Sequence, residues 1–194
     1  MYRTGSLWAH SNLPVDCHPD IITVAKPLAN GYPIGAVLLR DNIAASMTVG
    51  QSDYDIRMSS VLLTLSDNVG THGTTFGGSP LACALGYHVL GRLSDRSFVS
   101  HLVDTSAHLV NRLKALPSRF PEILHPDVRG AGLILGLGFK QEDGPKRVVS
   151  MARERGLLLL TAGKDALRLV PSLNIGEKEV DEAVDVIEDC LRSL

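Results

Sequence analysis

At 194 residues, with 44% hydrophobic and 21% charged side chains, the chain is long enough to bury a sizeable core as one domain or two small ones. A formal net charge of −2 and no Lys/Arg cluster give no field for nucleic acid or an anionic membrane surface. No apolar run approaches the roughly 20 residues of a membrane span, and no segment reads as a signal or transit peptide.

In chain order, Asp20 to Lys26 and Gly35 to Arg40 read as buried strands, apolar and rich in β-branched residues. Asp41 to Val49 reads as a short helix. Residues 51–70 have mixed character, with a small Val61-Leu62-Leu63 core and no helical or strand period. Ser79-Pro80 then opens a helix to about Leu93, and a second helix runs from Ser97 to about Leu116. Pro117, Pro121 and Pro126 break that pattern. An α+β tail follows: strands at Val128 to Phe139, Leu157 to Thr161 and Leu167 to Val170, a helix from Pro145 to Arg155, and a last helix from Glu177 to Leu194. That last helix is apolar at Val180, Ala183, Val184, Ile187 and Leu191. The composition break places a domain border between residues 116 and 117.

Three places carry chemistry. Lys26 ends an apolar strand and is followed at once by Pro27, Asn30 and Gly31, a turn that delivers a side chain into a cleft. Lysine is the residue that forms Schiff bases with carbonyls, above all with pyridoxal phosphate (PLP). Gly70-Thr71-His72-Gly73-Thr74-Thr75-Phe76-Gly77-Gly78-Ser79 joins a backbone free to approach an anion to side-chain hydroxyl donors. Arg168, in Leu167-Arg168-Leu169-Val170, offers a guanidinium fork suited to a carboxylate. Each also has an ordinary reading: a solvated lysine, a capped glycine turn, a surface arginine on an amphipathic strand. The seven histidines show no metal-ligand spacing with Cys17, Cys83 and Cys190, so no metal site is expected, and these cysteines form no disulfide framework.

Taken together, Arg3-Thr4-Gly5-Ser6-Leu7-Trp8-Ala9-His10, Pro19 to Ala36, Thr71 to Ala84 and Leu167 to Leu173 resemble the fold-type I, class III (ω-type) PLP-dependent aminotransferases. The run Ala25-Lys26-Pro27-Leu28-Ala29-Asn30-Gly31-Tyr32-Pro33-Ile34-Gly35-Ala36 looks closest to the family's acetylornithine-acting members. The resemblance implies an α/β fold: the C-terminal part of a PLP-binding large domain with a mostly parallel sheet (residues 1–116), then an α+β small domain (117–194). It implies that Lys26 bonds the cofactor covalently and afterwards shuttles a proton. Thr75, with Thr74 beside it, would bond the PLP phosphate, and Arg168 would clamp a substrate carboxylate. The partners it implies are an amino acid, a 2-oxo acid and a second copy of the full-length chain. The compartment it implies is the mitochondrial matrix or the cytoplasm.

The resemblance also sets expectations about what is absent. Family members run to roughly twice this length, and the aspartate that pairs with the pyridinium nitrogen lies just upstream of the segment matching Arg3-Thr4-Gly5. Without that carboxylate the ring is a poorer electron sink. Transamination by this chain alone is therefore not expected; the alternatives are another ω-amino acid transaminase or a non-catalytic binding protein. Residues 51–70 are an insertion against the family pattern. Gly50-Gln51 and Val69-Gly70 can be encoded by a splice donor and acceptor, so a retained intron is the expectation there. Strand edges left without neighbours predict poor solubility or association.

Overall fold

The computed structural model describes residues 1–46 and 75–194, so Thr74 and the 51–70 insertion lie outside the described residues. The chain divides into two compact units, one formed by Met1–Ala9 with Ser94–Leu194 and the other by His10–Leu93.

The larger unit begins, after its N-terminal segment, with helix α3 (Arg96–Lys114). Asp95 caps it by accepting hydrogen bonds from the Ser97 and Phe98 amides at 2.9 and 3.2 Å. The short α4 (Leu116–Arg119) follows, with Pro117 in its first turn, where a missing N–H costs nothing. Strands β3 (Leu124–Ala131) and β4 (Ile134–Phe139) form a hairpin, then come α5 (Gly144–Glu154), β5 (Leu160–Ala162), β6 (Ala166–Leu169) and α6 (Glu177–Arg192). The four strands make one antiparallel sheet in the order β3-β4-β6-β5.

Period-two alternation decides which face of that sheet is covered. Leu135, Leu137 and Phe139 of β4, with Leu167 and Leu169 of β6, point into the core. Helices α3 and α5 lie against the strands, and α6 packs on both helices. Leu102, Leu109 and Leu113 from α3 and Val180, Val184, Ile187 and Leu191 from α6 complete the buried layer. The border expected after residue 116 falls within this unit, where α3 buries its apolar stripe against α6. Polar contacts rim the α3–α6 seam. His108 and Arg112 meet Asp181 at 2.8 and 3.2 Å, and Arg112 meets Asp185 at 2.5 Å. The buried Glu188 carboxylate accepts from both Arg119 and Arg192.

The smaller unit holds β1 (Ile21–Val24), β2 (Ala36–Leu39), α1 (Asp41–Ser46) and α2 (Pro80–Leu93). Among the described residues its two strands pair only with each other, antiparallel, from Ile21↔Leu39 to Val24↔Ala36. The α/β class holds, but both sheets among the described residues are antiparallel where a mostly parallel sheet was expected. The chain between β1 and β2 is a turn that sends it straight back, which permits only antiparallel pairing. Nor are these strands buried: their side chains are half-buried or exposed. A two-stranded ribbon has two open edges and cannot cover its own faces.

In the larger unit the single strand expected over Val128 to Phe139 is two strands. Gly130 and Gly132, with φ of 105° and 58°, turn the chain between them in a conformation that L side chains rarely adopt.

Candidate active site

Lys26 stands two residues beyond β1. The strand ends at Val24, and Lys26–Leu28 form a tight 3-10 turn closed by the Leu28 amide donating to the Ala25 carbonyl at 2.7 Å. Pro27 stiffens that turn, having a fixed φ and no N–H. Asn30 and Gly31 then adopt left-handed φ values of 48° and 113°, and the Tyr32 amide closes back on Ala29 at 3.2 Å. The result is a rigid pedestal with the Lys26 side chain exposed at its start.

Helix α2 braces this pedestal through Gly86, a residue that sequence reasoning passed over. A Cβ built on Gly86 would lie 3.3 Å from Ile34 Cδ1 and 3.6 Å from Leu28 Cγ, so a larger residue there would press the Ile34 methyl aside by a few tenths of an ångström. The signal was present: an isolated glycine inside a helical pattern costs about 1 kcal/mol against alanine and so implies a packing reason.

Thr75 lies in the same unit, exposed, in the loop that leads into α2. After it, Gly78 takes a φ of 67°, the Ser79 amide donates to the Phe76 carbonyl at 3.2 Å, and the Cys83 amide donates to the Ser79 carbonyl at 3.0 Å. Ser79 therefore occupies the cap position, as its sequence context predicted. The site elements of this unit are thus the turn against which α2 packs and the loop from which α2 springs.

Arg168 belongs to the other unit. It sits on β6 directly opposite Gly136 of β4 and Leu160 of β5, with its neighbours Leu167 and Leu169 buried on the far face. Gly136 places no side chain beside it, and Arg168 is exposed on this face of the sheet. Arg129, opposite Gly136 on β3, leans away toward Asp165 at 3.4 Å. The groove of about 200 Å³ in this unit, bordered by His108, Arg112, Arg119 and Glu188, belongs to the α3–α6 ion pairs and includes none of the expected site residues.

Residues 1–191 match the family described as Aminotransferase class-III. The chain belongs to that family. It is 39% identical over 192 residues to the mitochondrial acetylornithine aminotransferase of Neurospora crassa, covering 99% of this chain and 37% of the relative. The Saccharomyces cerevisiae mitochondrial acetylornithine aminotransferase is 36% identical over 192 residues, with 99% and 40% covered. Among solved structures, the N-acetylornithine aminotransferase of Stenotrophomonas maltophilia superposes with a TM-score of 0.73 at 30% identity, over 98% of this chain and 44% of that one. An ornithine aminotransferase of Toxoplasma gondii, described with partial occupancy of PLP at its active site, gives 0.77 at 29% identity, over 98% and 40%. This class-III aminotransferase chain thus spans about two fifths of the length of the curated relatives it matches. Among its described residues no helix is long and apolar enough to cross a membrane, and no group of metal-ligating side chains comes together.

Proposed function

We propose that these 194 residues are the C-terminal part of an aminotransferase that moves the ω-amino group of N-acetylornithine to 2-oxoglutarate. The observation that carries this reading is the 39% identity to a mitochondrial acetylornithine aminotransferase across 99% of the chain. The residues present fit PLP in kind: an amine on a rigid pedestal, and a hydroxyl in a glycine-bearing loop at the start of a helix. Lys26 would hold the cofactor covalently, and the hydroxyls of Thr75 and Thr74 would hold its phosphate. When bound, PLP supplies the electron sink that amino transfer requires.

The chain's own residues would do the rest. The Lys26 amine, once free, takes and returns the proton at the substrate carbon bearing the transferred nitrogen. Arg168 grips a substrate carboxylate with two parallel N–H···O bonds, which orients as well as binds. Lys26, Thr75 and Arg168 are all exposed here. An exposed lysine lacks the walls that keep water from a reacting centre. We therefore place completion of the site, and turnover, in chain beyond these residues, with a homodimer and the mitochondrial matrix as the setting. Ornithine is the second substrate reading, supported by the Toxoplasma gondii neighbour.

The test is a titration of purified protein with PLP, read by visible absorption beside Lys26→Ala. A band that requires Lys26, with no glutamate formed from N-acetylornithine and 2-oxoglutarate, is expected. Equal spectra from the two proteins would sink the assignment of Lys26.

A further inference from the structure

The Arg3-Thr4-Gly5 run holds neither cofactor nor substrate in the proposed function. In the structure it is docked firmly. The Leu133 amide donates to the Arg3 carbonyl at 2.7 Å. The Arg3 guanidinium returns the contact: its Nη1 donates to the Leu133 carbonyl at 3.5 Å and to the Pro171 carbonyl. Gly132, in the β3–β4 turn, is shaped for this segment. Its φ is 58°, and a Cβ there would run into the Arg3 carbonyl, with Thr4 C at 2.8 Å and Gly5 N at 2.9 Å. Tyr2 is buried next to it, with its hydroxyl 3.4 Å from Ser94 Oγ. Burial pushes the Arg3 guanidinium pKa down from its ordinary value, a cost of desolvation that its two carbonyl acceptors offset.

Pro171 is the important end of this latch. The ladder between β4 and β6 finishes at Leu135↔Leu169, one residue beyond Arg168. From Val170 to Gly176 the chain runs without ladder bonds to α6. Pro171 has no N–H, so its carbonyl is its only main-chain hydrogen-bonding group. That carbonyl is what Arg3 holds. Farther on, His101 Nε2 meets the Ile175 carbonyl at 2.9 Å, so two side chains from elsewhere in the unit pin the connection after Arg168.

We propose that Arg3 is a positioning residue for Arg168, its guanidinium tying the β3–β4 turn and the exit of β6 into one rigid corner. Arg168 and Val170 share the exposed face of β6 and its continuation, so loosening at Pro171 frees the platform beside the Arg168 side chain. The proposal rests on the reading of Arg168 as a carboxylate clamp, and the experiment separates the two.

The probe is 2-oxoglutarate, titrated into the 194-residue protein and into Arg3→Lys, Arg3→Ala and Arg168→Ala. Binding is read by NMR, together with amide exchange at Leu133 and Ile175 and, as a check on folding, at Leu109 and Ile187. Losing a charge-assisted hydrogen bond predicts about tenfold faster exchange at Leu133 and Ile175 in Arg3→Ala, with core amides unchanged. Affinity for 2-oxoglutarate falls with it by roughly tenfold, as expected when a side chain loses its set position. Arg3→Lys, which keeps the charge and one donor to Pro171, recovers most of both. Faster exchange with unchanged affinity makes Arg3 merely structural and overturns the proposal, as does unchanged exchange in Arg3→Ala. If Arg168→Ala binds the probe as well as wild type, the clamp reading itself fails and the positioning role falls with it.

Discussion

The two units of this chain have similar local structure and opposite interiors. The larger one buries an almost unbroken set of leucines, isoleucine, valines and Phe139 between a four-stranded sheet and three helices. Among the described residues of the smaller one, only Ala29, Ala82 and Gly86 are buried. Its large side chains face outward instead: Phe76 is 85% exposed, Tyr87 80% and Val37 52%. Since apolar burial is the main source of folding stability, the larger unit holds most of the stabilising burial found among the described residues. The division cuts across the candidate site residues. Arg168 stands on the larger unit, while Lys26 and Thr75 stand on the one whose described residues bury little.

The contrast is most easily broken at the centre of β4. Leu137 is fully buried, so Leu137→Ala is expected to cost about 2–5 kcal/mol in urea unfolding. Val37→Ala, on the open ribbon, is expected to stay within about 0.5 kcal/mol of wild type. Comparable losses at the two sites would mean that the smaller unit has a core after all.

Glu188 comes next. Glu188→Gln leaves Arg119 and Arg192 with a neutral partner, a loss of about 1–3 kcal/mol by the same measurement. Thiol chemistry then sharpens the comparison. Cys17 and Cys83, in the smaller unit, are exposed, whereas Cys190 on α6 is buried and burial raises its pKa. An aromatic disulfide reagent should label the first two in the native protein and Cys190 only on unfolding of the larger unit. Replacing Phe76 and Tyr87 with serine should raise the concentration at which the protein stays unassociated, seen by light scattering, and leave the Cys190 rate unchanged.

The smallest expected effect is at the N-terminus of α3. Hydrogen bonds from the Ser97 hydroxyl and then the Phe98 and Ser97 amides hold the Asp95 carboxyl below the usual carboxylate range. A depressed folded-state pKa contributes stability that is present above the unfolded value and lost as pH falls through the folded one. Asp95→Ala should therefore be slightly less stable than wild type near neutrality, with the difference vanishing in acid. A difference that grows in acid would exclude this cap.

Much of this arrangement was legible residue by residue. The helix expected from Pro80 to about Leu93 has those bounds, because its serine cap and first-turn proline are local signals. The helices starting near Ser97, Pro145 and Glu177 lie within a residue or two of expectation, their stripes being strongly periodic. Less visible was the break in Val128 to Phe139, where the apolar alternation of Leu133, Leu135 and Leu137 masked the glycines of the turn. Apolar β-branched content also suggested burial for β1 and β2. Burial, however, depends on what lies above and beside a strand, and pattern alone does not say.

The sequence by itself determined the family, the helices with their caps, and the residue types of the candidate site, because these are written in contiguous runs. Only the tertiary structure decided that α3 joins the C-terminal elements, that Gly136 clears the space beside Arg168, and that Arg3 reaches Pro171. Those facts join residues 32 to 168 positions apart. Such partners are brought together by the burial of a shared apolar core, and no local pattern along the chain encodes which distant residue that core will place alongside.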